Sequence, residues 1–82
     1  QKEYLQYTRV TLEDGLTIAS DGAYDHKEKF VVCGYKGTYY TKKDEEWVIW
    51  NDSQYYHKIN ATHLAKGKEK LQKMAQSLYL NN

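Results

Sequence analysis

Trp47-Val48-Ile49-Trp50 sets two β-branched residues between two indoles, a composition that favours a pleated strand. A strand with water on one side alternates apolar and polar residues. This one does not, so both of its faces need a neighbour, from the chain itself or from a partner. The surrounding stretch, Thr38 to Ile59, holds both tryptophans and four of the nine tyrosines and reads as two or three consecutive antiparallel strands.

Turn chemistry divides the rest of the chain. Phe30–Tyr35 reads as a strand, Lys36-Gly37 as a tight turn into Thr38–Lys42, and Lys43-Asp44-Glu45 as a second turn into Glu46–Asn51. This register places Cys33 opposite Tyr40, Thr41 opposite Trp47, and Lys42 opposite Glu46, a pair of opposite charge. It gathers Phe30, Val32, Tyr39, Trp47 and Ile49 on one face. On the other it gathers Val31, Cys33, Tyr35, Tyr40, Val48 and Trp50, with Lys42 at the margin. Upstream, residues 4–20 read as a hairpin about Glu13-Asp14-Gly15, which sets Leu12 against Leu16 and Val10 against Ile18. The polar Ala23–Lys29 reads as a loop.

Downstream, Asn51–Gln54 reads as a loop and Tyr55–Ile59 as the last strand. Asn60 is a suitable N-cap for a helix. Leu64, Leu71, Met74, Ala75 and Leu78 recur at three- and four-residue spacing and make its apolar stripe, with Lys66, Lys70 and Lys73 on the far side. Gly67 lies on the stripe, where a close approach to the sheet would explain it. The expected fold is α+β: a curved antiparallel sheet of about five strands, a β-meander or a small SH3-like barrel, with one C-terminal amphipathic helix packed on it. The whole chain, 1–82, is one domain, with the sheet in 1–59 and the helix in 60–80.

Composition narrows the class further. A chain of 82 residues is close to the size at which a core becomes marginal, and its single cysteine gives no intrachain disulfide. Aromatic burial, worth on the order of 2–3 kcal/mol per ring, has to supply the stability. The net charge of +1 is too small to argue for a polyanion by itself, although it is unevenly spread. Residues 1–60 carry eight Lys/Arg against ten Asp/Glu, or −2; residues 61–82 carry four against one, or +3. No apolar run approaches a membrane span and no signal-peptide pattern opens the chain, so the expectation is a cytoplasmic protein with no membrane partner. Eleven lysines to one arginine, with abundant Tyr and Asn, suggest an AT-rich genome such as that of a low-GC bacterium, its phages or its plasmids.

No catalytic pattern emerges. Cys33 with His57 or His63 and Asp52 has the residue types of a thiol triad. A thiolate nucleophile needs an electropositive, accessible setting, and Cys33 sits in an apolar run. Asp25, His26, His57 and His63 lack zinc-ligand spacing, and the glycines make no phosphate-binding pattern. The expectation is therefore a non-enzymatic protein-binding module with no metal or cofactor, monomeric or homodimeric. A phage- or mobile-element-encoded inhibitor that occludes a host protein is one form of it. One helix can cover one face of the sheet, so the binding surface is expected on the other, at Tyr35, Tyr40, Trp50, Lys42 and Val48, because interfaces enrich Tyr and Trp. The alternative is a small nucleic-acid-binding protein, with strand tyrosines stacking on bases and Lys66, Lys70 and Lys73 neutralising phosphates.

Overall fold

The computed structural model describes residues 4–14, 24–62 and 67–80. Five strands, β1 (Tyr4–Thr11), β2 (His26–Val32), β3 (Tyr35–Lys42), β4 (Glu45–Asn51) and β5 (Tyr55–Thr62), precede one helix, α1 (Gly67–Ser77). They form one antiparallel sheet of order β1-β5-β4-β3-β2. Strands β2 to β5 are a meander of consecutive hairpins, and β1 returns to lie against β5. The sheet stays open, with β1 and β2 at its margins, so the barrel form of the expected fold is not the one adopted. The α+β class and the helix on one sheet face are. Among the described residues no helix is long and apolar enough to cross a membrane.

The register differs from the expected one, and the cause lies in the turns. The β2–β3 turn is Cys33-Gly34, with φ of 49° and 86°, and Val32 faces Tyr35 across it. Two positive φ values in a two-residue loop make the type I′ geometry that matches strand twist. Lys36 and Gly37, expected to turn, lie inside β3 instead. Cys33, expected inside a strand, is an exposed turn thiol. The β3–β4 turn has two residues rather than three: Lys43-Asp44, which pairs Lys42 with Glu45 and Thr41 with Glu46. Lys43 takes a φ of 54°, and its amide donates to Asp25 Oδ2 at 2.6 Å. Dropping one residue from a turn moves every side chain of the following strand to the opposite face. Val48 and Trp50 therefore join Phe30, Val32, Tyr35 and Tyr39 on one face, while Trp47 and Ile49 go to the other.

The helix covers the first of these faces. Leu71 and Ala75 are fully buried against a core of Phe30, Val32, Tyr39, Val48, Trp50, Ile59 and Ala61, with Met74, Tyr35 and Tyr79 packed at its edge. Two boundaries differ from the sequence reading. Ala23–Lys29 is no uniform loop, since β2 begins at His26 and pairs with β3 as far as Thr41. Asn60 caps no helix; it is buried within β5, where its Nδ2 donates to the Glu46 carbonyl at 3.3 Å. The helix begins instead at Gly67, whose φ of 79° suits a residue without a Cβ and whose surroundings are open, so backbone conformation rather than close packing selects the glycine. The Gly67 N–H donates to Glu46 Oε1 at 2.8 Å, which places a carboxylate at the positive end of the helix. The hairpin partners Leu16 and Ile18, and the helix positions Leu64 and Lys66, lie outside the described residues.

Two substitutions test this register. At Gly37 a Cβ would sit 2.3 Å from the Ile49 carbonyl and 2.6 Å from Trp50 Cβ. Gly37→Ala is expected to lower the unfolding free energy by about 1–3 kcal/mol in chemical denaturation. Cys33→Asn supplies the Asn-Gly pair that a type I′ turn prefers and is expected to raise it by roughly 0.5–1 kcal/mol. A stabilising Gly37→Ala, or a destabilising Cys33→Asn, would contradict the hairpin at Cys33-Gly34.

Candidate functional site

The densest polar chemistry lies where β1, β5 and the C-terminal turn meet. Trp50 and His57 are cross-strand partners whose rings stack at 4.8 Å and 12°. The β4–β5 loop brings Asp52 back toward them: its Oδ1 accepts the amides of Gln54 (2.9 Å) and Tyr55 (2.8 Å), an Asx-type turn. Its Oδ2 lies 2.7 Å from His57 Nε2 and accepts the Tyr79 hydroxyl at 2.8 Å. Tyr79 Oη in turn accepts the Trp50 indole N–H at 2.8 Å, and Tyr7 Oη lies 2.6 Å from His57 Nδ1. With an Nε2–H of His57 donating to the ionised Asp52, Nδ1 is the ring atom that can accept from the Tyr7 hydroxyl.

Hydroxyl, imidazole and carboxylate thus stand in the order of a nucleophilic triad. The electrostatics run against that use. Burial raises the Tyr7 phenol above its ordinary range; Arg9 opposes this, and Asp52 adds to it. An activated nucleophile needs the opposite shift. Burial and the Asp52 carboxylate likewise hold the Tyr79 proton on, against the Trp50 N–H, with the pKa pushed up to about 12. Burial would raise the Asp52 carboxyl, but the Gln54 and Tyr55 amides, His57 and Tyr79 together hold it well below the usual carboxylate range. Both phenols are held protonated and Asp52 ionised. The network ties β1, β5 and the β4–β5 loop to the turn that follows α1. A second carboxylate, the buried Glu46, accepts the Tyr39 hydroxyl at 2.8 Å as well as the Gly67 amide. Burial and Glu46 raise the Tyr39 phenol strongly.

Cys33 stands apart from this network, in its exposed turn. His63 lies outside the described residues. Among the described residues no group of three or more metal-ligating side chains is assembled.

The sheet face away from the helix has a different character. Its central rows read Lys27–Tyr40–Trp47–Asn60 and Lys29–Thr38–Ile49–Lys58, and Asn51–Tyr56–Val10 runs beside them. Trp47, Ile49 and Tyr56 are half-buried, and Tyr40 is 8 % exposed, with the Tyr24 ring 4.4 Å away. Lys27 Nζ lies 5.9 Å from the Tyr40 ring. Lys27, Lys29, Lys36, Lys42 and Lys58 point to this side, against one strand carboxylate, Glu45, whose cross-strand partner is Lys42. A recess of about 280 Å³ opens among Lys36, Thr38, Ile49 and Tyr56.

The five residues expected to share one binding surface are divided between the faces. Val48 and Trp50 are buried beneath α1, at 0 % and 1 % exposure. Tyr35 is half-buried on the same side, its ring 5.6 Å from that of Tyr79. Tyr40 and Lys42 lie on the open face, and Trp47 and Ile49 replace Trp50 and Val48 there. The residues expected to bind nucleic acid are divided as well: Lys70 and Lys73 are exposed on α1, on the opposite side of the sheet from Tyr40, Tyr56 and the strand lysines, and Lys66 lies outside the described residues. Sequence reasoning missed the Tyr7–His57–Asp52–Tyr79 network because its members are brought together by β1 pairing with β5 and by the turn after α1. Only the Asp52-Ser53-Gln54 turn signal was local.

Over residues 1–78 the chain matches the family described as a domain of unknown function (DUF4367), and it belongs to that family. No curated protein and no solved structure matches it.

The Asp52 network sets a pH dependence. A carboxylate with a lowered folded-state pKa contributes stability that is fully present above its unfolded value and is lost as the pH falls toward the folded one. Unfolding free energy is therefore expected to decline as the pH drops below about 4, and Asp52→Asn should flatten that part of the profile. At neutral pH the same variant should cost on the order of 2–3 kcal/mol through weakened hydrogen bonds to a charged acceptor. Denaturant midpoints across the acid range check both; an unchanged acid slope in Asp52→Asn would refute the assignment.

Proposed function

We propose that this member of the DUF4367 family is a small non-enzymatic binding module that occupies a surface of another protein with the sheet face turned away from its helix. The observation that carries the reading is the allocation of aromatic area. The single helix is spent on the Trp50 side, and Tyr40, Trp47, Ile49 and Tyr56 lie across the other. The ring of Tyr24 lies against this face at Tyr40, and Trp47, Ile49 and Tyr56 beside it are half-buried. An apolar, aromatic centre within a charged rim is the anatomy of a protein interface. The rim here carries five lysines and one glutamate, which favours a partner with an acidic surface and a fast, salt-dependent encounter. An inhibitor acting by occlusion is one form of this activity.

The same lysines favour a second reading, in which the face binds single-stranded nucleic acid by stacking on Trp47, Tyr40 and Tyr56. The helix lysines Lys70 and Lys73 take no part in it, because they lie on the far side of the sheet.

Affinity capture followed by substitution separates the two. A protein partner should survive nuclease treatment and be lost, by tenfold or more in affinity, with Trp47→Ala or with Ile49→Ser in variants whose circular dichroism is unchanged. Loss of the partner on nuclease treatment, together with a salt slope that falls by about one for each of Lys29 and Lys58 changed to Gln, would favour nucleic acid. Partner binding that persists through all four substitutions would remove this face from consideration.

A further inference from the structure

On the helix side, the far end of the sheet carries a groove at the margin of the core that the proposed interface does not use. Leu5 and Tyr7 of β1, Ile59 of β5, Met74 of α1 and Leu78 beyond it enclose about 320 Å³. A second recess, also about 320 Å³, continues from it past Arg9, Tyr55 and Asp52. The two share Tyr7 and Leu78 and so adjoin, the first apolar and the second polar. Leu5, Tyr7 and Leu78, at 50 %, 44 % and 41 % exposure, are among the most exposed large hydrophobic side chains of the described residues.

We propose that this groove binds a single-chain amphiphile with an anionic head, its hydrocarbon lying along Leu5, Ile59, Met74 and Leu78 and its head meeting Arg9. Two features select that chemistry. The side chains of the apolar end carry one hydroxyl, on Tyr7, and it is committed to His57 Nδ1 at 2.6 Å. A peptide laid there would lose water from its amides with no side chain to replace it, which is costly; a hydrocarbon loses nothing. At the polar end Arg9 is the sole arginine of the chain. Its guanidinium carbon lies 4.4 Å from the centre of the Tyr55 ring, and a planar guanidinium held on a ring can fork its N–H groups onto a carboxylate. Among the described residues no carboxylate forms an ion pair with it. Asp52 lines the same end, but the Gln54 and Tyr55 amides, His57 and the Tyr79 hydroxyl already engage both its oxygens. The volume is at the lower end of the range of small-molecule sites, roughly 300–1,000 Å³, as one unbranched chain requires. The site is independent of the proposed protein interface, which lies across the sheet.

The probe is dodecanoate below its micelle concentration, titrated into the intact protein and followed by methyl NMR and calorimetry. Saturable binding with shifts at Leu5, Ile59, Met74 and Leu78 is expected, and dodecyltrimethylammonium should bind about tenfold more weakly or worse. Arg9→Gln should weaken dodecanoate by about tenfold and leave dodecanol unchanged. Leu78→Asn, at a position 41 % exposed, should weaken all three amphiphiles in protein whose circular dichroism is unchanged. The proposal is overturned by an absence of saturable binding to folded protein, by shifts centred on Trp47 and Ile49, by equal affinity for the two charged head groups, or by an Arg9→Gln variant that binds dodecanoate normally. Association with anionic phospholipid vesicles without binding of the dissolved acid would also overturn it, in favour of a membrane-surface role.

Discussion

Trp50 is the residue on which the arrangement turns. Its indole is 1 % exposed, lies 6.4 Å from the Phe30 ring, and stacks on His57 at 4.8 Å, while its Cβ lies so near Gly37 that no other residue fits opposite it. Its N–H, the polar group that would make burial costly, is given to Tyr79. One side chain therefore joins the sheet core, the β4–β5 hairpin and the segment after the helix. Tyr79, held by Trp50 on one side and Asp52 on the other, brings the chain back across the sheet after α1 ends.

That position follows from parity, and parity is the least legible property of a strand. The β-forming composition of Trp47–Trp50, the turn at Asp52–Gln54 and the apolar spacing of Leu71, Met74 and Ala75 are local facts; the first two place their elements, and the third places the helix, though within Gly67–Ser77 rather than 60–80 and with Leu78 beyond its end. Which side of β4 faces the helix depends on whether the preceding turn has two residues or three. Lys43, Asp44 and Glu45 are all acceptable in either. Lys36-Gly37 is the more conventional turn pair, yet folding there would place Gly37 in a loop and leave the wall of Trp50 without its one permissible neighbour. Tertiary packing outweighs local turn preference here, at the expense of a left-handed cysteine. The deduction that survives the change of register is the areal one: a lone helix covers one face, and aromatic residues remain on the other. Trp47 and Ile49 carry it in place of Trp50 and Val48.

The alternation of His26-Lys27-Glu28-Lys29 acquires meaning only once the faces are known. Glu28 points to the helix side, where its carboxylate meets Lys68 at 2.6 Å and His26 at 2.5 Å, while Lys27 and Lys29 point away. Glu46 on the same side holds the start of the helix, and Asp52 holds its end. The Glu28 pairs are exposed enough to contribute little stability; their effect is on charge distribution. Carboxylates are drawn toward the helix and its amides, and the lysines left over share the opposite face with the aromatics. A chain of net charge +1 thereby presents one strongly basic surface without being a basic protein.

The half-buried network and the groove beside it are connected through Tyr7. A phenol on an edge strand normally offers its hydroxyl to solvent or to a ligand. Here the hydroxyl is turned onto His57 Nδ1 at 2.6 Å, while His57 Nε2 lies 2.7 Å from Asp52 Oδ2. The ring that remains is a hydrocarbon surface between Leu5 and Leu78. The order of these bonds also explains why the Asp52 charge does not dominate the polar end. Four donors engage it, while Arg9, two strand positions beyond Tyr7 and on the same face, lies over the Tyr55 ring. Without the Tyr7–His57 bond the groove would contain a free polar group at its centre and would suit a peptide as well as an acyl chain. The network therefore does more than fasten the C-terminal turn: by consuming its own donors it leaves an apolar channel with a single cation at its mouth.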